Sequence, residues 1–130
     1  MISHLDHLVL TTRHGPECEH FYVQVLGMKL EVFMGGDPPV ARKAFKFGHQ
    51  KINLHLAGNE FEPKAHLPTP GSLDLCFLAD CPLEQVIETL QKHQWPIELG
   101  PVLRTGATGK IRSVYVRDPD QNLIEISEPA

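Results

Sequence analysis

Hydrophobic and polar positions alternate along most of this chain, and in two places the period lengthens to that of a helix. Residues 4–11 are rich in aliphatic and β-branched side chains and predict a first strand. In it Leu8 and Leu10 face a covering layer, while His7, Val9 and Thr11 face the other way. Gly15-Pro16 then opens a helix, with Pro16 suited to the first helical position. Cys18, Phe21, Tyr22 and Val25 give it one apolar stripe, and Gly27 stops it. Strands are predicted over 28–34, 40–47 and 50–57, the first two divided by the turn Gly35-Gly36-Asp37-Pro38-Pro39. In the last of them Ile52, Leu54 and Leu56 share one face, which leaves Asn53 and His55 on the other.

Residues 58–72 carry three prolines and two glycines without periodicity and read as a connector, in which Phe61 and Leu67 are expected to pack against something. The order then begins again. A strand over 73–78 turns Leu73, Leu75 and Phe77 to a covering layer and Asp74 inward. Pro82 opens a second helix with the stripe Leu83, Val86, Ile87 and Leu90, and Trp95-Pro96 closes it. A short strand over 97–100, a flexible loop over 104–109 and a strand over 110–117 follow. The turn Asp118-Pro119-Asp120 leads into the final strand, where Ile124 and Ile126 lie on one face and Glu125 on the other. Both halves therefore read β-α-β-β-β, which predicts an α+β chain built by internal duplication: module one over 1–57, the connector over 58–72 and module two over 73–130.

At 130 residues, with 42% hydrophobic and 22% charged content, the chain has the size and composition of one soluble globular domain. A formal charge of −4 and the lack of any basic run argue against nucleic acid as a partner. No apolar run approaches the roughly 20 residues that span a bilayer, and the N-terminal residues show no signal pattern, so no membrane association and a cytoplasmic location are expected. Cys18, Cys76 and Cys81 form no metal-type or disulfide pattern; all are read as reduced, with Cys76 buried in its strand.

The duplication gives a few polar strand residues a shared meaning. His7 and His55, on the first and last strands of module one, are separated by roughly 50 residues, as are Asp74 and Glu125 in module two. Joined about a pseudo-twofold axis, the modules would bring His7, His55, Asp74 and Glu125 together as ligands of a divalent metal such as Ni, Zn, Mn, Fe or Co. Such an ion also answers the cost of a charge within an apolar strand. Other readings stay open: His7 satisfied by a backbone carbonyl, Asp74 capping a turn, Glu125 paired with Arg112 or Lys110. Arg104, Arg112 and Tyr115 are secondary candidates for holding a substrate, Arg104 from the glycine-rich loop.

Asp6 to Leu10, the helix exit from Phe21-Tyr22 to Leu26-Gly27-Met28-Lys29-Leu30-Glu31, and the close from Asp118-Pro119-Asp120 to Asn122-Leu123-Ile124-Glu125 resemble the vicinal oxygen chelate superfamily of glyoxalases, bleomycin-resistance proteins and dioxygenases. Residues 60–65 and 104–107 resemble its small single-domain branch called glyoxalase domain-containing protein five. The resemblance implies paired modules forming a curved mixed sheet around a cavity, a divalent metal and a homodimer. It places ligands at His7 and Glu125, with Asp74 where many members carry a second His and His55, or Asn53 on the same face, where glyoxalase I has a Glu. The implied activity is a glyoxalase-type lyase or isomerase that chelates the neighbouring oxygens of a small molecule, with Asp74 or Glu125 moving a proton. A metal-free ligand-binding protein of the bleomycin-resistance kind and an extradiol dioxygenase are the alternatives.

Overall fold

The computed structural model describes residues Met1–Ala130 and divides them into two compact units, Met1–Gly71 and Ser72–Ala130. In the first, β1 (His7–Thr12) is followed by α1 (Gly15–Glu19), which passes into a π-helical segment (His20–Val25), and then by β2 (Lys29–Gly35), β3 (Val40–Phe47) and β4 (Gln50–Leu56). In the second, β5 (Asp74–Leu78), α2 (Leu83–Lys92), β6 (Leu99–Thr105), β7 (Lys110–Arg117) and β8 (Leu123–Pro129) repeat the plan. Each unit holds its own four-stranded mixed sheet, in the orders β1-β4-β3-β2 and β5-β8-β7-β6. The outer pair of each, β1 with β4 and β5 with β8, is parallel. The predicted duplication is thus present in topology as well as in pattern.

Apolar alternation builds each core on the face that meets the helix. In the first unit Leu10, Ile52 and Phe45 are fully buried with Cys18, Phe21 and Tyr22 of the helical segment. Tyr22 stacks on Phe45 at 5.3 Å between ring centroids. In the second unit Leu83 and Leu90 of α2 are buried together with Val114, Val116, Ile124 and Ile126 of the sheet. Arg112 adds a polar tie on that same side, since its Nη1 donates to Glu84 of α2 at 2.7 Å and to Glu128 at 3.0 Å. No helix is long and apolar enough to cross a membrane.

Several expectations change in detail. The first helix is not α-helical throughout: Leu26 N–H donates to the Phe21 carbonyl, a five-residue reach that an i, i+3, i+4 stripe cannot distinguish from an α-helix. The strand expected over 97–100 runs instead over Leu99–Thr105 with an irregular register between Leu99 and Val102, so Arg104 belongs to a strand and not to the loop. Cys76 is exposed, because it shares the parity of Asp74 and not that of the half-buried Leu75 and Phe77. In the 58–72 segment Phe61 packs on His55 and Arg42, whereas Leu67 is 77% exposed.

Candidate functional site

In each unit, the sheet face turned away from the helix carries the polar residues singled out by sequence. In the second unit Cys76 and Tyr115 flank Glu125 as direct strand partners, and Ser113 partners Ser127. Those residues form one network. Ser113 Oγ donates to Glu125 Oε2 at 2.6 Å and lies 2.7 Å from Ser127 Oγ, which also reaches Glu125 at 3.4 Å. Ser113 and Ser127 are fully buried, and Cys76 Sγ stands 3.4 Å from Ser127 Oγ. Desolvation, followed by the negative fields of Glu125 and Asp74, pushes the Cys76 thiol up, against the opposing hydrogen bond to Ser127. That shift favours the neutral thiol.

Tyr115 and Arg104 extend this face. Arg104 Nε donates to the Tyr115 hydroxyl at 3.0 Å, so the phenolic oxygen acts as acceptor there and its own O–H is available to a ligand oxygen. Arg112, by contrast, lies on the opposite face and is committed to Glu84 and Glu128. It does not pair with Glu125, one of the readings left open by the sequence, because Arg112 alternates with Ser113 along β7. Glu125 takes its hydrogen bonds from serines. Sequence reading passed over Ser113 and Ser127, although their period-two relation to Tyr115 and Glu125 was the available signal.

In the first unit His7 sits half-exposed at the start of β1, with Nδ1 2.9 Å from Asp6 Oδ1. That hydrogen bond holds the Asp6 carboxyl below its ordinary range, and it leaves Nε2 as the outward nitrogen. His7 partners Lys51, whereas His55 partners Thr11 at the far end of β1. Four residues along the strand amount to about 13 Å between the two Cα positions. His55 is instead buried edge-on against Phe61, with ring centroids 5.3 Å apart. Burial, and then the charge of Arg42, push its imidazole down from the ordinary value.

The residue related to His7 as Glu125 is related to Asp74 is Asn53. Asp74 partners Leu123, two residues before Glu125, and His7 partners Lys51, two residues before Asn53. Asn53 Oδ1 is buried without a hydrogen-bond partner, so a carbonyl acceptor is left unsatisfied on the face that carries His7. The donor pairs are thus His7 with Asn53 in one unit and Asp74 with Glu125 in the other. Their nitrogen and oxygen atoms suit a borderline or hard divalent ion in kind. No cluster of three or more His, Cys, Asp or Glu side chains is gathered to hold one.

Two β-α-β-β-β modules, each with polar donors on its outer parallel strand pair, define a class of α+β proteins made by duplication. A model of the Glyoxalase/Bleomycin resistance protein/Dioxygenase superfamily matches residues 4–126, and the chain belongs to that superfamily. It is 50% identical over 128 residues to virulence protein STM3117 of Salmonella typhimurium, covering 98% of this chain and 85% of the relative. The crystal structure of STM3117 matches with a TM-score of 0.93 and 49% identity, over 100% of this chain and 99% of that one. The glyoxalase domain-containing protein RDO1 of Mycosarcoma maydis is 50% identical over 126 residues, 97% of this chain and 68% of RDO1. At 23% identity the fold alone is shared with a lactoylglutathione lyase from Agrobacterium tumefaciens, at a TM-score of 0.72 over 98% of this chain and 95% of that one. It is shared equally with TnmS3, an antibiotic binding protein from a Streptomyces species, at 0.73 over 99% and 98%.

Proposed function

We propose that the protein is a metal-dependent enzyme of the glyoxalase type, a lyase or isomerase acting on a small molecule through two neighbouring oxygens. The observation that supports this reading is the repeated register: each module offers one donor from its first strand and one from its last, at the same offset. In this reading His7 with Asn53, and Asp74 with Glu125, are the residues that would hold the divalent metal, and the orphaned Asn53 oxygen gains a partner. The ion would supply stabilisation of negative charge developing on the substrate oxygens. Asp6 fixes the tautomer and orientation of His7, a supporting contact of the kind that tunes metal-binding histidines. Ser113 fixes the carboxylate of Glu125, which leaves the other oxygen for the ion or for a proton of the substrate. Tyr115, held by Arg104, presents a hydroxyl donor beside it.

A homodimer is the proposed assembly. It is supported by superfamily membership and by apolar side chains left on the outer strands, where Val9 is 42% and Leu78 62% exposed. Light scattering behind gel filtration reads that directly. The metal reading is tested by elemental analysis of untagged protein, repeated on His7→Ala and Glu125→Ala. Bound divalent metal in the native protein and its loss from both variants is the expected result. A metal-free native protein that still binds small molecules would overturn it in favour of a binding protein. Oxygen consumption during turnover would point to a dioxygenase instead.

A further inference from the structure

Arg42 on β3 is built into its place more firmly than a solvated arginine needs to be. Its guanidinium carbon stands 4.1 Å over the Phe61 ring centroid, and His55 packs edge-on against that same ring. Gly35 and Gly36 leave room for the guanidinium, which a side chain at either position would push aside. A Cβ at Gly35 would lie 2.8 Å from Arg42 Nε, and one at Gly36 2.8 Å from Nη2. Stacking on an aromatic ring occupies a flat face of the guanidinium and leaves the N–H donors of its edge as the recognising group.

One of those donors lacks an acceptor. Arg42 Nε is buried and has no hydrogen-bond partner. None of the ion pairs of the protein includes Arg42. A buried, charged donor without an acceptor is costly, and a native protein ordinarily satisfies it with something. Arg42 and Phe61 line a groove of about 750 Å³ that is also lined by Arg13 and Lys43. Its single carboxylate, Glu19, is already bound by Lys43 at 3.0 Å. The groove is therefore cationic on a chain whose formal charge is −4.

We infer that Arg42 is the receiving group for an anionic oxygen substituent, a carboxylate or a phosphate, on the small molecule that this protein binds. The planar fork of a guanidinium matches two oxygens of either group, and Phe61, Gly35 and Gly36 hold it ready so that little freedom is lost on binding. Arg42 shares its sheet face with Ala44, whose strand partner is Asn53. This inference rests on the proposed reading of a small-molecule protein, but not on the presence of a metal.

The test is a calorimetric titration of the untagged protein with malonate, with inorganic phosphate and with neutral malonamide, at constant ionic strength. Arg42→Gln, Arg42→Lys and, as a remote charge control, Lys92→Gln are titrated alongside. The expected result is saturable binding of at least one anion and none of malonamide. Arg42→Gln should weaken that binding by about tenfold or more, since a charge-assisted pair of hydrogen bonds is lost. Arg42→Lys, which keeps the charge without the fork, should fall between, and Lys92→Gln should match the native protein. Preference for malonate identifies a carboxylate and preference for phosphate a phosphoryl group. Absence of anion binding by the native protein, or equal affinities across all variants, would overturn the inference whether or not the variants fold well. Metal content, measured separately, decides the proposed activity independently.

Discussion

Ser113 is the residue through which Glu125 is fixed, since it is fully buried, donates at 2.6 Å and shares its oxygen with Ser127. Ser113→Ala removes that donor and leaves the longer contact of Glu125 to Ser127 at 3.4 Å. A loss of about 1–3 kcal/mol is expected, because a buried polar partner is left short of a hydrogen bond. Urea unfolding of native and variant proteins measures it, and a change below about 0.5 kcal/mol would show that water replaces the hydroxyl without cost. At this scale sequence was informative about face and uninformative about position along a strand. Parity set Asn53 and His55 on one side of β4, but where each lies opposite β1 follows only from the pairing of β1 with β4. That register is set by hydrogen bonds between residues more than 40 positions apart, and linear counting across two modules with different loop lengths cannot supply it. Arg42 and Phe61 were equally hidden, since nothing local links a strand arginine to an aromatic residue in the connector.

Elements were more legible, because their signals are local. The stripe Leu83, Val86, Ile87 and Leu90 predicted α2, and the structure buries Leu83 and Leu90 completely or nearly so. The end of that helix is not set by Trp95-Pro96 alone. Gln94 N–H donates to the Gln91 carbonyl and Trp95 N–H to the Leu90 carbonyl, the paired bonds of a Schellman cap. Gln94 takes the left-handed position at φ 55°, where a side chain is strained and glycine is not. Gln94→Gly is therefore expected to stabilise the protein by about 1 kcal/mol, less the entropy that glycine adds to the unfolded chain. Thermal unfolding checks the sign, and a lower melting temperature would mean that the Gln94 side chain makes a contact worth more than the strain. The Asp118 turn shows the converse, a signal read correctly for a stronger reason than expected. Asp118 Oδ1 accepts from the backbone of Asp120 and Asn122, its Oδ2 accepts from Asn122 Nδ2, and Asn122 Oδ1 in turn accepts from Leu73 N–H. The turn so joins the start of β8 to the residue that precedes β5, which sets where along β8 Glu125 falls.

At the scale of the molecule, duplication was the feature that sequence made plainest, and it constrains the proposed chemistry more than any single residue does. A divalent ion needs about four protein or solvent donors, and each module presents two, His7 with Asn53 and Asp74 with Glu125. If each pair acted alone, two weak and independent ions would bind per chain, and disabling one pair would halve the metal. If the pairs serve one ion, about one ion binds per chain, and loss of either pair removes nearly all of it. The ratio of metal to protein decides between the two patterns. The double variants His7→Ala/Asn53→Ala and Asp74→Ala/Glu125→Ala are each expected to fall close to zero metal by elemental analysis, while His55→Ala retains the native content. His55 provides the sharpest contrast because it shares the face and the residue type of a ligand, but lies about 13 Å along the strand from His7. Retention of half the metal in either double variant would show that each pair acts alone, and loss of metal in His55→Ala would restore the spacing read from sequence over the register seen in the fold.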